Sequence, residues 1–168
     1  MSTPVEIERK FVIATPDISL LTTLEGYTKS EIEQTYLCSD EGVTRRVRAR
    51  NYQGRTVYTE TKKVRIDNMS AHEDEREIDE AEYTTLLGEI MPGTVTLYKT
   101  RYTFAFFGKI FEVDVYQNWK RTAILEVELD ARDEELLMPD FIKVIAEVTG
   151  DKRYSNAAMS KEFPKELI

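Results

Sequence analysis

Glu6-Ile7-Glu8-Arg9-Lys10 sets an ionisable residue at every second position, and residues two apart on a β-strand share a face. Glu6, Glu8 and Lys10 therefore point to one side, while Val5, Ile7, Arg9 and Phe11 point to the other. The spacing returns down the chain in Arg46 and Arg48, Glu73 and Glu75, Lys99 and Arg101, Glu112 and Asp114, and Glu126 and Glu128. One such pair is a wet sheet face. Six of them in a chain of 168 residues predict a sheet whose charged face is an enclosed working surface.

Working outward, alternation predicts strands over Val5 to Ile13, Ser30 to Ser39, Val43 to Asn51, Arg55 to Val64 and Ala71 to Asp79. Three more follow over Val95 to Phe106, Lys109 to Tyr116 and Ala123 to Ala131, with Phe107-Gly108 turning between the first two. Pro16 opens a short helix ending near Gly26, and Asp79 to Ile90 has helical spacing stopped by Pro92-Gly93. Asp133 to Ile168 reads as short helices with turns at Pro139, Gly150 and Pro164. Short turns between strands make the sheet mostly antiparallel, in one α+β domain spanning residues 1–168.

The face opposite the charges carries Tyr98, Tyr102, Phe104, Phe106, Phe111, Val113, Val115, Leu125, Val127 and Leu129. Those residues can bury under helices, which turns the charges inward. Eight antiparallel strands can close into a barrel that holds side chains or one small ligand. A lumen lined with glutamates, arginines and lysines is costly to dehydrate without ligands, so water, metal ions and a polyanion belong in it. Carboxylates are hard oxygen ligands for Mg²⁺ or Mn²⁺, and arginine and lysine bind phosphate oxygens.

Composition narrows the alternatives. With 41% hydrophobic and 32% charged residues the chain is a folding sequence, not a disordered one. No apolar run approaches the roughly 20 residues of a membrane span, and Met1-Ser2-Thr3-Pro4 opens no secretory pattern. Cys38 stands alone, without a disulfide partner, and a reducing cytoplasm is the simplest compartment. A net charge of −8 argues against a nucleic-acid surface, although Thr44 to Arg50 packs four arginines into seven residues. The single histidine, His72, leaves a Ser-His-Asp hydrolase or a histidine-rich metal site without support. Cys38, His72 and Trp119 read as structural, Arg45 and Arg50 as surface residues, and Glu77 and Glu112 as possible lining.

Glu6-Ile7-Glu8-Arg9-Lys10 also resembles the ExExK signature of the CYTH superfamily, the triphosphate tunnel metalloenzymes. Gln34-Thr35-Tyr36-Leu37, Arg46-Val47-Arg48, Lys62, Glu73-Asp74-Glu75, Lys99-Thr100-Arg101-Tyr102, Val113-Asp114-Val115 and Leu125-Glu126-Val127-Glu128 resemble its later motifs in order. The C-terminal Val148-Thr149-Gly150-Asp151-Lys152-Arg153-Tyr154-Ser155-Asn156 is similar to its V-T-x-D-x-R-Y-x-N segment. Two places depart from the pattern: Ala71-His72 stands where an arginine is usual, and Tyr116 to Arg121 replaces a glycine-containing connection.

The resemblance implies a closed eight-stranded tunnel in which Glu6, Glu8, Glu126 and Glu128 hold one or two Mg²⁺ or Mn²⁺ ions. It implies that Arg46, Arg48, Lys62, Lys99 and Arg101 bind phosphate, and that Lys10 and Tyr36 form a dyad in which lysine helps activate water. That dyad requires a lowered lysine pKa, which neighbouring cations could produce. Glu73, Glu75 and Asp114 either pair with the basic cluster or contact the reaction directly. The expected activity is metal-dependent hydrolysis of a small triphosphate, inorganic triphosphate first, with thiamine and nucleoside triphosphates, adenylate cyclisation and non-catalytic polyphosphate binding as alternatives. No nucleic-acid or membrane partner is expected; an exposed stripe on the outer helices could support a homodimer.

Overall fold

The computed structural model describes residues 5–168; the Met1 to Pro4 start lies outside them. Nine strands form one sheet: β1 (Val5–Ala14), β2 (Thr28–Leu37), β3 (Val43–Tyr52), β4 (Arg55–Arg65), β5 (Ser70–Ile78), β6 (Leu97–Phe106), β7 (Lys109–Tyr116), β8 (Thr122–Leu129) and β9 (Val144–Glu147). The order is β5-β4-β3-β2-β6-β7-β8-β1-β9, and β5 also pairs with β1. Eight strands therefore close into a barrel, and every pairing is antiparallel. The expected fold class is the observed one.

The closing seam is short. It joins Val5, Ile7 and Glu6 to His72, Ser70 and Ala71. Beyond it β1 takes β9 as its neighbour through Phe11, Val12 and Ile13. This ninth strand corrects the reading of Asp133 to Ile168 as helices and turns. Four residues without clear alternation carry no strand signal of their own, and β1 supplies the template that makes them one.

Among the described residues there are also three α-helices, α1 (Ile18–Leu21), α2 (Glu80–Leu86) and α3 (Asn156–Lys161), with short 3-10 turns at Leu87–Glu89 and Lys152–Tyr154. Asp17, Asp79 and Ser155 cap their first turns, each side chain accepting from a backbone N–H. The helix expected to run to Gly26 stops after four residues in successive turns.

Three apolar clusters position the barrel. Phe11, Ile13, Phe104, Phe111, Leu125 and Val127 lie outside it under Leu21 of α1 and the segment around Ile142. Leu37, Val47, Ala49 and Ile78 pack outside it under Tyr83 and Leu86 of α2. The third cluster lies within. Val12, Leu97, Tyr116 and Ile124 share the inward parity of Lys10, Lys99, Asp114 and Glu126, and they pack against Trp119, Val148, Tyr154 and Met159. Each inward row thus changes from charged to apolar along its strand, and the C-terminal segment closes that end. Burial of each large side chain contributes about 1.5–3 kcal/mol, so this plug is part of the core. Among the described residues no helix is long and apolar enough to cross a membrane.

Candidate active site

The charged part of the lumen is a cavity of about 730 Å³, and the strand order divides its wall by sign. Glu73 and Glu75 on β5, Glu6 and Glu8 on β1, Glu126 and Glu128 on β8, and Glu112 on β7 occupy four consecutive strands. Arg101 on β6, Arg46, Arg48 and Arg50 on β3, and Lys63 and Arg65 on β4 occupy the other half, with Tyr36 on β2 between them. Two-residue periodicity produces each row, and barrel closure brings the rows face to face.

On the acidic side the carboxylates crowd one another. Glu8 stands opposite Glu128 in register, and Glu126 opposite Glu112; like charges directly opposed are destabilising. Repulsion from Glu126, with burial behind it, pushes the Glu8 carboxyl up to about 7. Burial raises Glu6 to about 8, and its hydrogen bond with Glu73 and the charge of Glu73 add to the rise. The residues fit a divalent cation on this ground: crowded oxygen donors whose mutual repulsion a cation relieves. Among the described residues no three acidic groups converge as they stand into a ligand set, so the side chains must close around an ion.

On the basic side the cations differ in how well they are compensated. Arg101 donates through Nε and one terminal nitrogen to the two oxygens of Asp114, at 2.8 and 2.9 Å, and through the other to Glu112 at 3.1 Å. Among the described residues Arg48 has only the neutral Gln34 amide oxygen, at 3.2 and 2.8 Å. Burial and the nearby Arg46 and Arg101 guanidiniums push its pKa down; since arginine stays charged in proteins, the shift measures positive charge in want of an anion. Arg46 lies 3.7 Å from Glu73, and its buried Nε has no hydrogen-bond partner among the described residues. Lys63 reaches Glu8 only at 4.0 Å. Among the described cations of this wall that are sheltered from solvent, the vacant bonding capacity is concentrated on Arg46, Arg48 and Lys63.

Of the residues expected at the site, Glu6, Glu8, Lys10, Tyr36, Arg46, Arg48, Glu73, Glu75, Arg101, Glu126 and Glu128 line the cavity. Glu75 accepts from Thr61 at 3.0 Å. Lys99 does not reach the cavity: its ammonium is fully buried and bonded to Asp114 at 2.7 Å. Asp114 is likewise buried, and Arg101 first and then Lys99 hold its carboxyl far below the ordinary range against the cost of burial. It is the shared counterion beneath the wall.

Two placements are corrected. Lys62 faces outward and is exposed, because Thr61 and Lys63 take the inward positions of β4. Arg50 lines the cavity and donates to Ser30 at 2.9 Å, in parity with Arg46 and Arg48. Arg45, also expected at the surface, does face out, bridging Glu60 and Glu89. Lys63→Met is expected to weaken the binding of a polyphosphate anion in this cavity about tenfold, the loss of one charge-assisted contact. Lys62→Met should leave it within about twofold, and equal effects on titrated affinity from both would undo the assignment.

The electrostatics of Lys10 also run opposite to the dyad requirement. Burial works against its charge, but Glu126 at 3.2 Å and then Glu8 outweigh it and hold the ammonium above its ordinary value. Lys10 donates to the Tyr154 carbonyl at 3.1 Å, which ties the cavity to the C-terminal plug. Tyr36 accepts from Gln34 at 3.3 Å and stands across the ladder from Arg46. Carboxylates, not cations, are the charges nearest the Lys10 ammonium.

No protein-family model and no curated protein sequence matches the chain. Among solved structures it is similar to the inorganic triphosphatase NE1496, at 30% identity over 98% of this chain and 99% of that one, with a TM-score of 0.62. It shares its fold with PH1819 from Pyrococcus horikoshii OT3, at 21% identity over 76% and 80% of the chains and a TM-score of 0.59. It also shares it with HpAC1 from Hippeastrum, a candidate adenylyl cyclase with a dominant triphosphatase activity, at 16% identity over 74% and 80% and a TM-score of 0.51.

Proposed function

The chain belongs to the CYTH superfamily of triphosphate tunnel metalloenzymes, and from that premise we propose that it hydrolyses inorganic triphosphate with Mg²⁺ or Mn²⁺, releasing orthophosphate. The observation that carries the reading is the division of the cavity wall into an acidic and a basic half, with Arg46 Nε buried and unpartnered on the basic side. A metal-bound phosphate chain presents both signs at once, and a buried donor without an acceptor is costly until a phosphate oxygen arrives. The similarity to an inorganic triphosphatase supports the same substrate. So does the lining itself: Tyr36 is its one aromatic residue and Ile110, Val148 and Ala157 its apolar ones among those described, which leaves little surface for a base or a thiazole ring.

In this reading Glu6, Glu8, Glu126 and Glu128 hold the cation. Bound there, it would neutralise phosphate charge and lower the pKa of an attacking water. Arg46, Arg48 and Lys63 bind the phosphate oxygens and take up charge as water attacks a terminal phosphorus. The bond to the bridging oxygen breaks, giving orthophosphate and pyrophosphate. Lys10, protonated, holds Glu126 in place and adds positive charge at the closed end. Arg101, already neutralised by Asp114 and Glu112, stiffens the wall beside Arg48.

Purified protein incubated with tripolyphosphate, thiamine triphosphate and ATP, each with Mg²⁺ or Mn²⁺, tests this directly. Orthophosphate chiefly from tripolyphosphate is the expected result. Cyclic AMP with pyrophosphate would overturn it, as would tight tripolyphosphate binding without turnover under either metal.

The raised carboxyls add a pH signature. Glu6 and Glu8 keep protons in the folded protein up to about 8 and 7, where carboxyls of an ordinary 4.5 have lost them. The folded state therefore binds more protons, and metal-free stability should fall as pH rises from about 5 to 8. Glu126, depressed to about 2 against burial chiefly by Lys10, acts only below that window. A divalent cation needs the deprotonated forms, so the Mg²⁺-induced rise in Tm should be larger at pH 8.5 than at pH 6. An equal rise at both would contradict the assignment of Glu6 and Glu8.

A further inference from the structure

A second cavity lies outside the barrel and takes no part in the tunnel chemistry. It is a cleft of about 440 Å³ between α2 and the outward faces of β2, β3, β4 and β6. Its carboxylates are Glu31 and Glu33 of β2 and Glu80 of α2, and its aromatic walls are Tyr58, Tyr83 and Tyr98. Tyr98, read from the sequence as part of the packed apolar face, is 46% exposed. Tyr58 and Tyr83 pack with ring centroids 4.9 Å apart, tilted by 43°. These contacts and the cover of α2 over Ala49 and Val47 give the cleft a firm floor.

Glu31 and Glu33 are oriented without being neutralised. The buried Tyr83 hydroxyl donates to Glu33 at 3.0 Å, and Thr100 donates to Glu31 at 2.9 Å. Burial first and then Glu33 raise the Tyr83 phenol, which keeps it a donor. Among the described residues the only basic one lining the cleft is Lys99, and its ammonium is turned through the sheet onto Asp114. Lys29 stands 3.9 Å from Glu31 with both side chains more than half exposed, a pair that solvent screens.

Negative charge beside aromatic faces is the chemistry that recognises an organic cation. Tyrosine faces attract an ammonium group and also cover the methylenes next to it. A small hydrated metal ion gains nothing from the rings and prefers an all-oxygen shell. Glu31 and Glu33 lie on one strand face about 7 Å apart, and Glu80 faces them from the helix, so a single ammonium leaves two carboxylates unanswered. We propose that this cleft binds a linear organic polycation, an aliphatic chain carrying two or more ammonium groups.

Isothermal titration of the full chain with spermidine tests the proposal, run with saturating Mg²⁺ so that the tunnel carboxylates are covered. One saturable site is expected, weakening as salt rises. Tyr98→Ala and Glu31→Gln, both at exposed positions, should each weaken it about tenfold while triphosphate turnover stays at the level of the unmodified protein. Glu8→Gln, inside the tunnel, should leave spermidine affinity unchanged. Absence of saturable binding, cleft variants that bind as tightly as the parent, or loss of binding in Glu8→Gln would each overturn the assignment. So would binding of a lysine-rich peptide by a protein that ignores spermidine, since the occupant would then be a partner chain.

Discussion

Glu126→Gln is expected to cut metal-dependent orthophosphate release about a hundred- to a thousand-fold, with the fold retained. Glu126 joins the two functions of the acidic wall. It pairs with Lys10 at 3.2 Å, and it is the first cause of the raised Glu8 carboxyl. Glutamine keeps the volume and the hydrogen-bonding shape but removes the charge that a divalent cation would share with Glu8. Most of the loss should appear as a higher metal concentration for half-activation and a lower kcat, with a smaller change in the KM for triphosphate. Turnover and metal dependence matching the unmodified enzyme would remove Glu126 from the metal site.

The sign division of the cavity was legible because β-strand parity is a local rule. Once Glu6, Glu8 and Lys10 are assigned to one face, the inward sets on β3, β5, β6, β7 and β8 follow from spacing alone. Arg50 obeyed that rule and could have been placed by it, being two residues beyond Arg48. Lys62 could not. Thr59-Glu60-Thr61-Lys62-Lys63 is polar at every position, so the strand carries no phase, and only its pairing in the barrel selects Lys63 as the inward lysine. β9 was invisible for a related reason, since its four residues are a strand only because β1 lies beside them. Partnership was the least legible property. The sequence shows Lys99, Arg101 and Asp114 as inward charges, but which of them face a ligand depends on how each is compensated in three dimensions. The structure answers that two cations spend their charge on Asp114, while Arg46 keeps a donor unspent.

This uneven compensation explains how a chain of net charge −8 can hold a polyanion. Its excess of acid lies partly on the outer surface and partly on the half of the lumen that a cation would neutralise. The anion meets Arg46, Arg48 and Lys63, whose nearest acids stand at 3.7 Å or more, or are replaced by the neutral Gln34. Potential inside a low-dielectric cleft is set by these nearby groups more than by the whole-chain total.

Asp114→Ala should be the most destabilising single substitution in the lumen, at about 3–5 kcal/mol, read as a lower midpoint of urea unfolding. Asp114 accepts from Lys99 at 2.7 Å and from Arg101 at 2.8 and 2.9 Å, and both its own side chain and that of Lys99 are out of contact with water. Removing it leaves Lys99, whose pKa burial already lowers to about 7, to lose its proton, and leaves one nearly buried guanidinium without its counterion; the penalty is that stranded charge together with the unmade hydrogen bonds. The double variant Asp114→Asn with Lys99→Met separates structure from chemistry. Methionine fills the lysine stem's volume without its charge, so much of the stability should return. Arg101 would still lack its two-point carboxylate and would lean on Glu112 alone, so turnover should stay low. A single variant that loses less than about 1 kcal/mol, or a double variant that regains activity together with stability, would show that Asp114 does not set the position of Arg101 in the tunnel wall.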